Sequence, residues 1–143
     1  MFASPDYTPS PVQIDALLAF LSTFERPDFV PSTVESLPGV GPHQVYAEEL
    51  RQYYRAVFEN GFVIEFDWRA WQEEAIRHCE QPELLRGADL QLLRRLITFH
   101  VRADRFNDGH LPSLIESGYM TALLRRLKEL RQAQETVPSV SMT

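Results

Sequence analysis

Apolar side chains recur at helical spacing along most of this chain, and this periodicity restricts the fold more than any other feature. The stripes occupy five stretches of sequence, which are residues 14–21, 46–58, 68–79, 93–104 and 120–130. Because residues three and four positions apart share one side of an α-helix, each stripe predicts a helix with one buried face. The pattern therefore predicts a mainly α fold, a compact single-domain helical bundle of four to six helices with at most one short β element.

Local signals place the ends of these helices. Ser10 and Gln13 form a capping-box pattern around a proline, which predicts a helix start. Asp67 and Asp89 are expected to cap later helices, and Gly109 ends the helix that follows Asp89. On that helix we expect several side chains to lie largely away from the core, namely Arg94, Arg95, Thr98, Arg102 and Arg105.

The remaining stretches lack helical periodicity. Residues 27–42 are rich in proline and glycine and predict a long irregular connection, which a second helix follows from about residue 42 to residue 60. Residues 62–66 predict a short strand or an extended segment, with a partner in that connection or near Tyr119.

The two ends of the chain show little periodicity, and this sets the expected domain limits. We expect a flexible N-terminal tail over residues 1–9, one helical domain over residues 10–131 and a frayed C-terminal tail over residues 132–143. No internal repeat interrupts the domain, which is why we expect a single core.

Composition limits where the protein works. The formal net charge of −6 argues against a general polyanion binder. No apolar run approaches the ~18 residues that cross a bilayer, and the first residues lack a signal-peptide pattern. Cys79 is the single cysteine, so no intrachain disulfide forms, and we expect it to be a small core residue. We therefore expect a cytoplasmic protein without membrane contact.

The stretch from His100 to His110 contains two imidazoles, two guanidiniums and two carboxylates beside an apolar helix face. Such a density of ionisable groups is costly near a core unless it serves structure or function. His100 and Asp104 are i,i+4 neighbours and are the candidate catalytic pair, with Asp104 orienting the imidazole. The candidate ligand-binding residues are Arg102, Arg105, Asp108 and His110.

Three functional hypotheses remain open from these residues. The leading one is a pocket for a phosphate-bearing small molecule or RNA, because residues 81–143 carry nine basic and seven acidic side chains. The second is a protein-interaction module, in which the acidic N-terminal half engages a partner and the central cluster only stabilises the fold. In both cases we expect no cofactor, and neither enzymatic activity nor oligomeric state follows from the sequence.

The third hypothesis is a metal-independent ribonuclease. Arg95 and His100 fit the arginine-x4-histidine pattern, so the segment resembles HEPN-type ribonucleases, which are helical and act as dimers. Five residues along a helix amount to about 140° of rotation, so the two side chains do not share a face in one chain. The resemblance implies that a dimer would bring them together.

Two other patterns favour plainer interpretations. His100, Asp104, Asp108 and His110 could supply metal ligands, but their spacing matches no familiar motif, and we expect no metal. Residues 37–42 resemble the hairpin of helix-hairpin-helix DNA-binding modules, yet the surrounding half of the chain is acidic. We therefore expect a plain proline-glycine turn that begins the second helix.

Five segments of the chain form a shared pattern, namely Gly61–Trp71, Ala88-Asp89, His100–Phe106, Gly109–Leu111 and Glu116–Gly118. Together they resemble domain-of-unknown-function family 6508, a group of bacterial and archaeal proteins. The similarity covers roughly residues 14–130, and the stretch from His100 to His110 is its most specific part. The resemblance implies one small domain and brings no activity, substrate or catalytic residue.

Overall fold

A computed structural model describes the backbone of residues 2–141 and the side chains of residues 2–135. Over that range it contains seven α-helices, one short 3-10 helix and one two-stranded antiparallel sheet. In chain order these are α1 (Pro11–Leu18), α2 (Leu21–Glu25), β1 (Ser32–Leu37), β2 (Gly41–Tyr46), α3 (Glu48–Glu59), α4 (Gln72–Glu80), the 3-10 helix (Pro82–Gly87), α5 (Leu90–Asp104), α6 (His110–Glu116) and α7 (Tyr119–Ser141). The mainly helical prediction is confirmed, but the seven α-helices exceed the four to six expected, partly because the first predicted helix divides in two between Leu18 and Leu21.

The start of α1 follows the predicted capping box. The Ser10 hydroxyl accepts the Gln13 N–H at 3.2 Å, and the Gln13 side chain accepts the Ser10 N–H at 2.9 Å. These reciprocal bonds satisfy backbone donors that the first helical turn leaves without partners. From this start α1 and α2 bury Ile14, Leu17 and Phe24 and pack against α7.

The central helix is α5, and it is buried on nearly every side. Asp89 caps it as predicted, because its carboxylate accepts the Leu92 N–H at 2.8 Å. The prediction that Arg94 and Thr98 face away from the core is wrong, since both are buried. The extended segment before α4 covers that side of α5, and the Ile64 N–H donates to the Thr98 hydroxyl at 3.0 Å.

The predicted irregular connection is instead a β-hairpin. Strands β1 and β2 pair from Ser32 with Tyr46 to Leu37 with Gly41. Pro38 and Gly39 occupy the centre of the turn, where Gly39 has a φ of 78° and the Val40 N–H bonds the Leu37 carbonyl at 3.0 Å. This is the geometry that a Pro-Gly pair favours, and it moves the start of α3 to Glu48.

Residues 62–66 form an extended segment with one isolated bridge rather than a strand. The bridge is parallel and joins Ile64 to Ala3, whose N–H bonds the Val63 carbonyl at 2.8 Å. The partner thus comes from neither of the two regions expected. It comes from the N-terminal residues, which lie against the core.

Arg94 holds those N-terminal residues in place. Its guanidinium donates to the carbonyls of Gly61 at 2.9 Å, Ser4 at 3.2 Å and Pro5 at 3.3 Å, and also to that of Tyr7. A buried cation needs several acceptors, and here the backbone supplies them. The contacts of residues 3–7 therefore differ from those expected of a flexible tail.

The start of α4 and the length of α7 differ from the predictions. Asp67 accepts the Ala70 N–H at 3.3 Å within a turn, and α4 begins later, at Gln72. Helix α7 continues to Ser141, where a frayed tail was expected; the side chains of residues 136–143 and the last two residues lie outside the described part. Among the described residues, no helix combines the length and apolar content needed to span a bilayer.

Candidate functional site

The predicted site surrounds the turn between α5 and α6. Helix α5 ends at Asp104, and Gly109, with a φ of 88°, precedes the first residue of α6, His110. This reversal brings His110 back beside His100. The Nε2 atom of His110 lies 3.0 Å from the Nδ1 atom of His100, and the two ring centroids are 5.2 Å apart. One imidazole donates this hydrogen bond and the other accepts it, which requires that at least one nitrogen of the pair be unprotonated.

His100 is sealed inside the protein. Only 1% of the residue is exposed, its Nε2 lies 3.6 Å from the Cys79 sulfur, and its ring packs edge-on against Tyr119. Burial and the neighbouring His110 lower the pKa of His100 to about 3. The ring is therefore neutral at pH 7 and enclosed, so it lacks the solvent access and the pKa that an acid or base for an external substrate needs.

Asp104 does not pair with His100 as predicted. Its Oδ1 accepts the Tyr46 hydroxyl at 2.7 Å and the Leu111 N–H at 2.9 Å. The Tyr46 oxygen in turn accepts the Gly109 N–H at 2.9 Å. Burial, and then the Asp104 carboxylate, raise the pKa of Tyr46, so the phenol stays protonated and remains a donor. Asp104 thus joins the end of β2 to the start of α6.

Asp108 makes a second attachment to the same strand. Its Oδ2 accepts the backbone N–H of Gln44 at 2.9 Å, while the Gln44 side chain accepts the Ser32 hydroxyl at 2.7 Å. The turn between α5 and α6 therefore contacts β2 at two alternate residues, Gln44 and Tyr46. Both carboxylates of the predicted cluster serve these attachments.

The two arginines of the cluster do not share a cavity. The Arg102 guanidinium lies 4.4 Å from the ring centre of Phe2 and 5.6 Å from that of Trp68. Arg105 is exposed and lines an open groove of about 470 Å³ that Arg51 also lines. The cluster is therefore divided between an enclosed His–His pair, a stacked arginine and a groove beside β2.

The ribonuclease-like pair, the single cysteine and the candidate metal ligands are located as follows in the structure. The Arg95 guanidinium lies over the Phe66 ring at 6.0 Å, whereas His100 faces Cys79 and His110, so one chain does not unite the ribonuclease-like pair. Cys79 is half-buried, which agrees with a mainly structural role. Within the described residues, no group of three or more histidine, cysteine or acidic side chains is arranged to hold a metal ion.

Sequence reasoning missed the residues that connect the cluster to the rest of the fold. Gln44 and Tyr46 were both predicted to lie in the second helix, whereas they belong to β2, and Ser32 was not singled out. The Pro38-Gly39 pair was the available signal, because this dipeptide marks a turn that can join two strands.

Comparison with known proteins adds a family but no activity. A model for a family of unknown function (DUF6508) matches residues 9–133, which is most of the chain. No curated protein and no solved structure matches the chain.

Proposed function

The chain belongs to the DUF6508 family, which brings no activity with it, and we therefore propose a function from the geometry alone. We propose that this domain is a protein-interaction module that presents the β1–β2 hairpin to a partner. The cluster from His100 to His110 is then structural. Its role is to attach the hairpin to the helical body.

The hairpin has the properties of a recognition element. Val34 is 63% exposed, Leu37 is 51% exposed and Val40 is 69% exposed. Apolar side chains gathered on one projection are typical of interaction sites, whereas scattered ones need no explanation. This concentration of exposed apolar residues is the observation that carries the proposal.

The way the hairpin is held supports the same proposal. An isolated two-stranded hairpin is marginally stable in water. Here the contacts of Tyr46 with Asp104 and of Gln44 with Asp108 fix its base, and the turn at Pro38 and Gly39 extends into solvent. The hydrogen bonds from Tyr46 to Asp104 and from Gln44 to Asp108 fix the hairpin relative to the helical body, which suits a cluster that positions a binding element.

Site-specific photo-crosslinking in the native host tests the proposal. A photoreactive phenylalanine replaces Val40 at the hairpin tip, and in a matched control it replaces Val12, which is 77% exposed on α1. We expect defined protein adducts from position 40 that Leu37→Lys removes, and none of these adducts from position 12. Equal adducts from both positions, or none from position 40, would refute the interaction module.

A second candidate function has one observation in its favour. Within the described residues, no hydrogen bond or ion pair engages the Arg105 guanidinium, which shares its groove with Arg51. Two guanidiniums beside a groove suit a phosphate group, although Asp104 and Asp108 offset their charge. Isothermal titration with a nucleotide panel tests this candidate. Binding that Arg105→Ala removes and Arg102→Ala retains would favour it, and absence of binding by the unaltered protein would exclude it.

A further inference from the structure

We propose that the partner of the hairpin is a second copy of this chain, which pairs antiparallel with the outer edge of β1. The two-fold axis passes beside Val34, and the two hairpins together form a four-stranded antiparallel sheet. This inference rests on the proposed function, since it takes the hairpin as the recognition element and then specifies what it binds.

The register of the hairpin determines which backbone groups face outward. The Ala47 N–H bonds the Pro31 carbonyl at 2.8 Å, so residues 31 and 47 form a hydrogen-bonded pair. Such pairs alternate with non-hydrogen-bonded pairs along an antiparallel ladder. The pairs Ser32 with Tyr46, Val34 with Gln44 and Ser36 with Pro42 are therefore of the second kind, and their N–H and C=O groups face away from the partner strand.

The outer edge of β2 is closed to a further strand. Pro42 has no N–H to donate, and the Gln44 N–H already bonds Asp108 at 2.9 Å. Proline on an edge and a covering loop are two of the means by which proteins prevent strand addition. On this side of the hairpin the helical body takes the place of a partner strand.

The outer edge of β1 has neither protection. Ser32, Val34 and Ser36 each retain an outward N–H and C=O, and among the described residues no hydrogen bond to those N–H groups comes from outside the hairpin. Residues 33–37 are all exposed, and Glu35 is the single charged residue of the strand. An edge of this kind is a template for another extended strand.

The sequence of β1 fits a second copy of itself. With the axis beside Val34, each Val34 pairs with Val34 of the second copy, and Ser32 pairs with Ser36. Glu35 then lies opposite Thr33 rather than opposite another Glu35, so like charges are not placed face to face. A shift of the axis to Glu35 would pair the two carboxylates directly, which disfavours that register. The alignment centred on Val34 therefore pairs the whole segment from Ser32 to Ser36 with itself and avoids this charge clash.

Sedimentation equilibrium over a concentration series up to about 1 mM tests the inference, because one strand pair gives a small and weak interface. We expect the unaltered chain to dimerise reversibly. Val34→Pro removes an outward N–H from each copy without touching the bonds between β1 and β2, and Val34→Thr keeps the N–H and the branched shape. We expect Val34→Pro to weaken the dimer about 10- to 30-fold and Val34→Thr to weaken it little.

A second measurement covers the case in which Val34→Pro disturbs the fold. Backbone amide NMR of the unaltered chain is expected to show concentration-dependent shifts that alternate along β1, larger at Ser32, Val34 and Ser36 than at Thr33 and Glu35. A chain that stays monomeric, a dimer that Val34→Pro leaves unchanged while folded, or shifts without this alternation would each overturn the inference.

The outcomes separate this inference from the proposed function. If position 40 crosslinks to another protein while the chain stays monomeric, the interaction module stands and the second copy is excluded. If position 40 gives adducts of twice the chain mass, both stand. If it gives no adduct and the chain is monomeric, both are refuted.

Discussion

The Tyr46 hydroxyl donates a 2.7 Å hydrogen bond to Asp104, and through it the end of β2 is attached to the end of α5. The two residues are 58 positions apart in sequence. The same hydroxyl accepts the Gly109 N–H, so one phenol connects the hairpin to both sides of the turn between α5 and α6. The ionisable cluster that marks this region in the sequence thus acts as an attachment point for the hairpin.

Replacing Tyr46 with phenylalanine is expected to loosen the hairpin while leaving the helical core folded. The change leaves Asp104 and the Gly109 N–H short of a partner, and we expect a loss of about 1–3 kcal/mol in the free energy of unfolding. Hydrogen exchange should show lower protection across β1 and β2 than in the unaltered chain. Tyr54→Phe is the matched control, because the Tyr54 hydroxyl bonds the Val101 carbonyl instead. Equal loss of hairpin protection in both variants would contradict an attachment through Tyr46.

Stability is expected to fall as the pH decreases from 7 toward 4. In the unfolded chain His100 binds a proton near its ordinary pKa of about 6.5, whereas in the folded chain burial lowers the pKa to about 3. Between these values the unfolded state binds more protons, so acid favours unfolding by up to about 1.4 kcal/mol per pH unit from this residue. Thermal melts of the unaltered chain at pH 7.5 and pH 5.0 measure the effect.

His100→Gln is the comparison for that pH series. The variant should be less stable at pH 7.5 and should show a smaller difference in Tm between the two pH values. Part of the remaining difference in Tm is expected to come from His110, because burial also lowers the pKa of this residue. An unchanged difference in Tm would show that His100 does not govern the acid response.

Arg94→Met is expected to release the N-terminal residues and to lower the free energy of unfolding by about 3 kcal/mol. The substitution leaves the carbonyl of the buried Gly61 and those of Ser4, Pro5 and Tyr7 without their donor, and an unpaired buried carbonyl is costly. Arg94→Lys keeps the charge but has no planar fork, so we expect it to recover only part of the loss. Urea denaturation gives the free energies, and limited proteolysis near residues 2–9 reports the release. Full stability of Arg94→Met would argue that these bonds contribute nothing.

Cys79 is expected to react slowly with thiol reagents in the folded chain. Burial raises the pKa of this thiol, and its neighbour His100 stays neutral and cannot stabilise a thiolate by charge. Labelling with a chromogenic disulfide at pH 7.5 should therefore be much slower than in urea. Labelling as fast as that of a small free thiol would contradict the expected protection of this half-buried thiol.

The sequence by itself determined most of the helices and the starts of α1 and α5. The caps of α1 and α5 use side chains three residues from the backbone groups they bind, so the interaction is local and readable. Helical periodicity is local in the same way, since a helix turn needs only its own residues. The position of the charged turn at the end of α5 followed from these local signals.

Only the tertiary structure decided what the polar groups do. The hairpin is held by hydrogen bonds from Gln44 to Asp108 and from Tyr46 to Asp104. The Arg94 guanidinium donates to carbonyls up to 90 residues away along the chain. No local pattern specifies such partners, because a buried donor can donate to any acceptor that the fold brings within reach. The same reason explains why His100 bonds His110 instead of Asp104, its neighbour on the helix, and why Asp104 and Asp108 bond residues of β2.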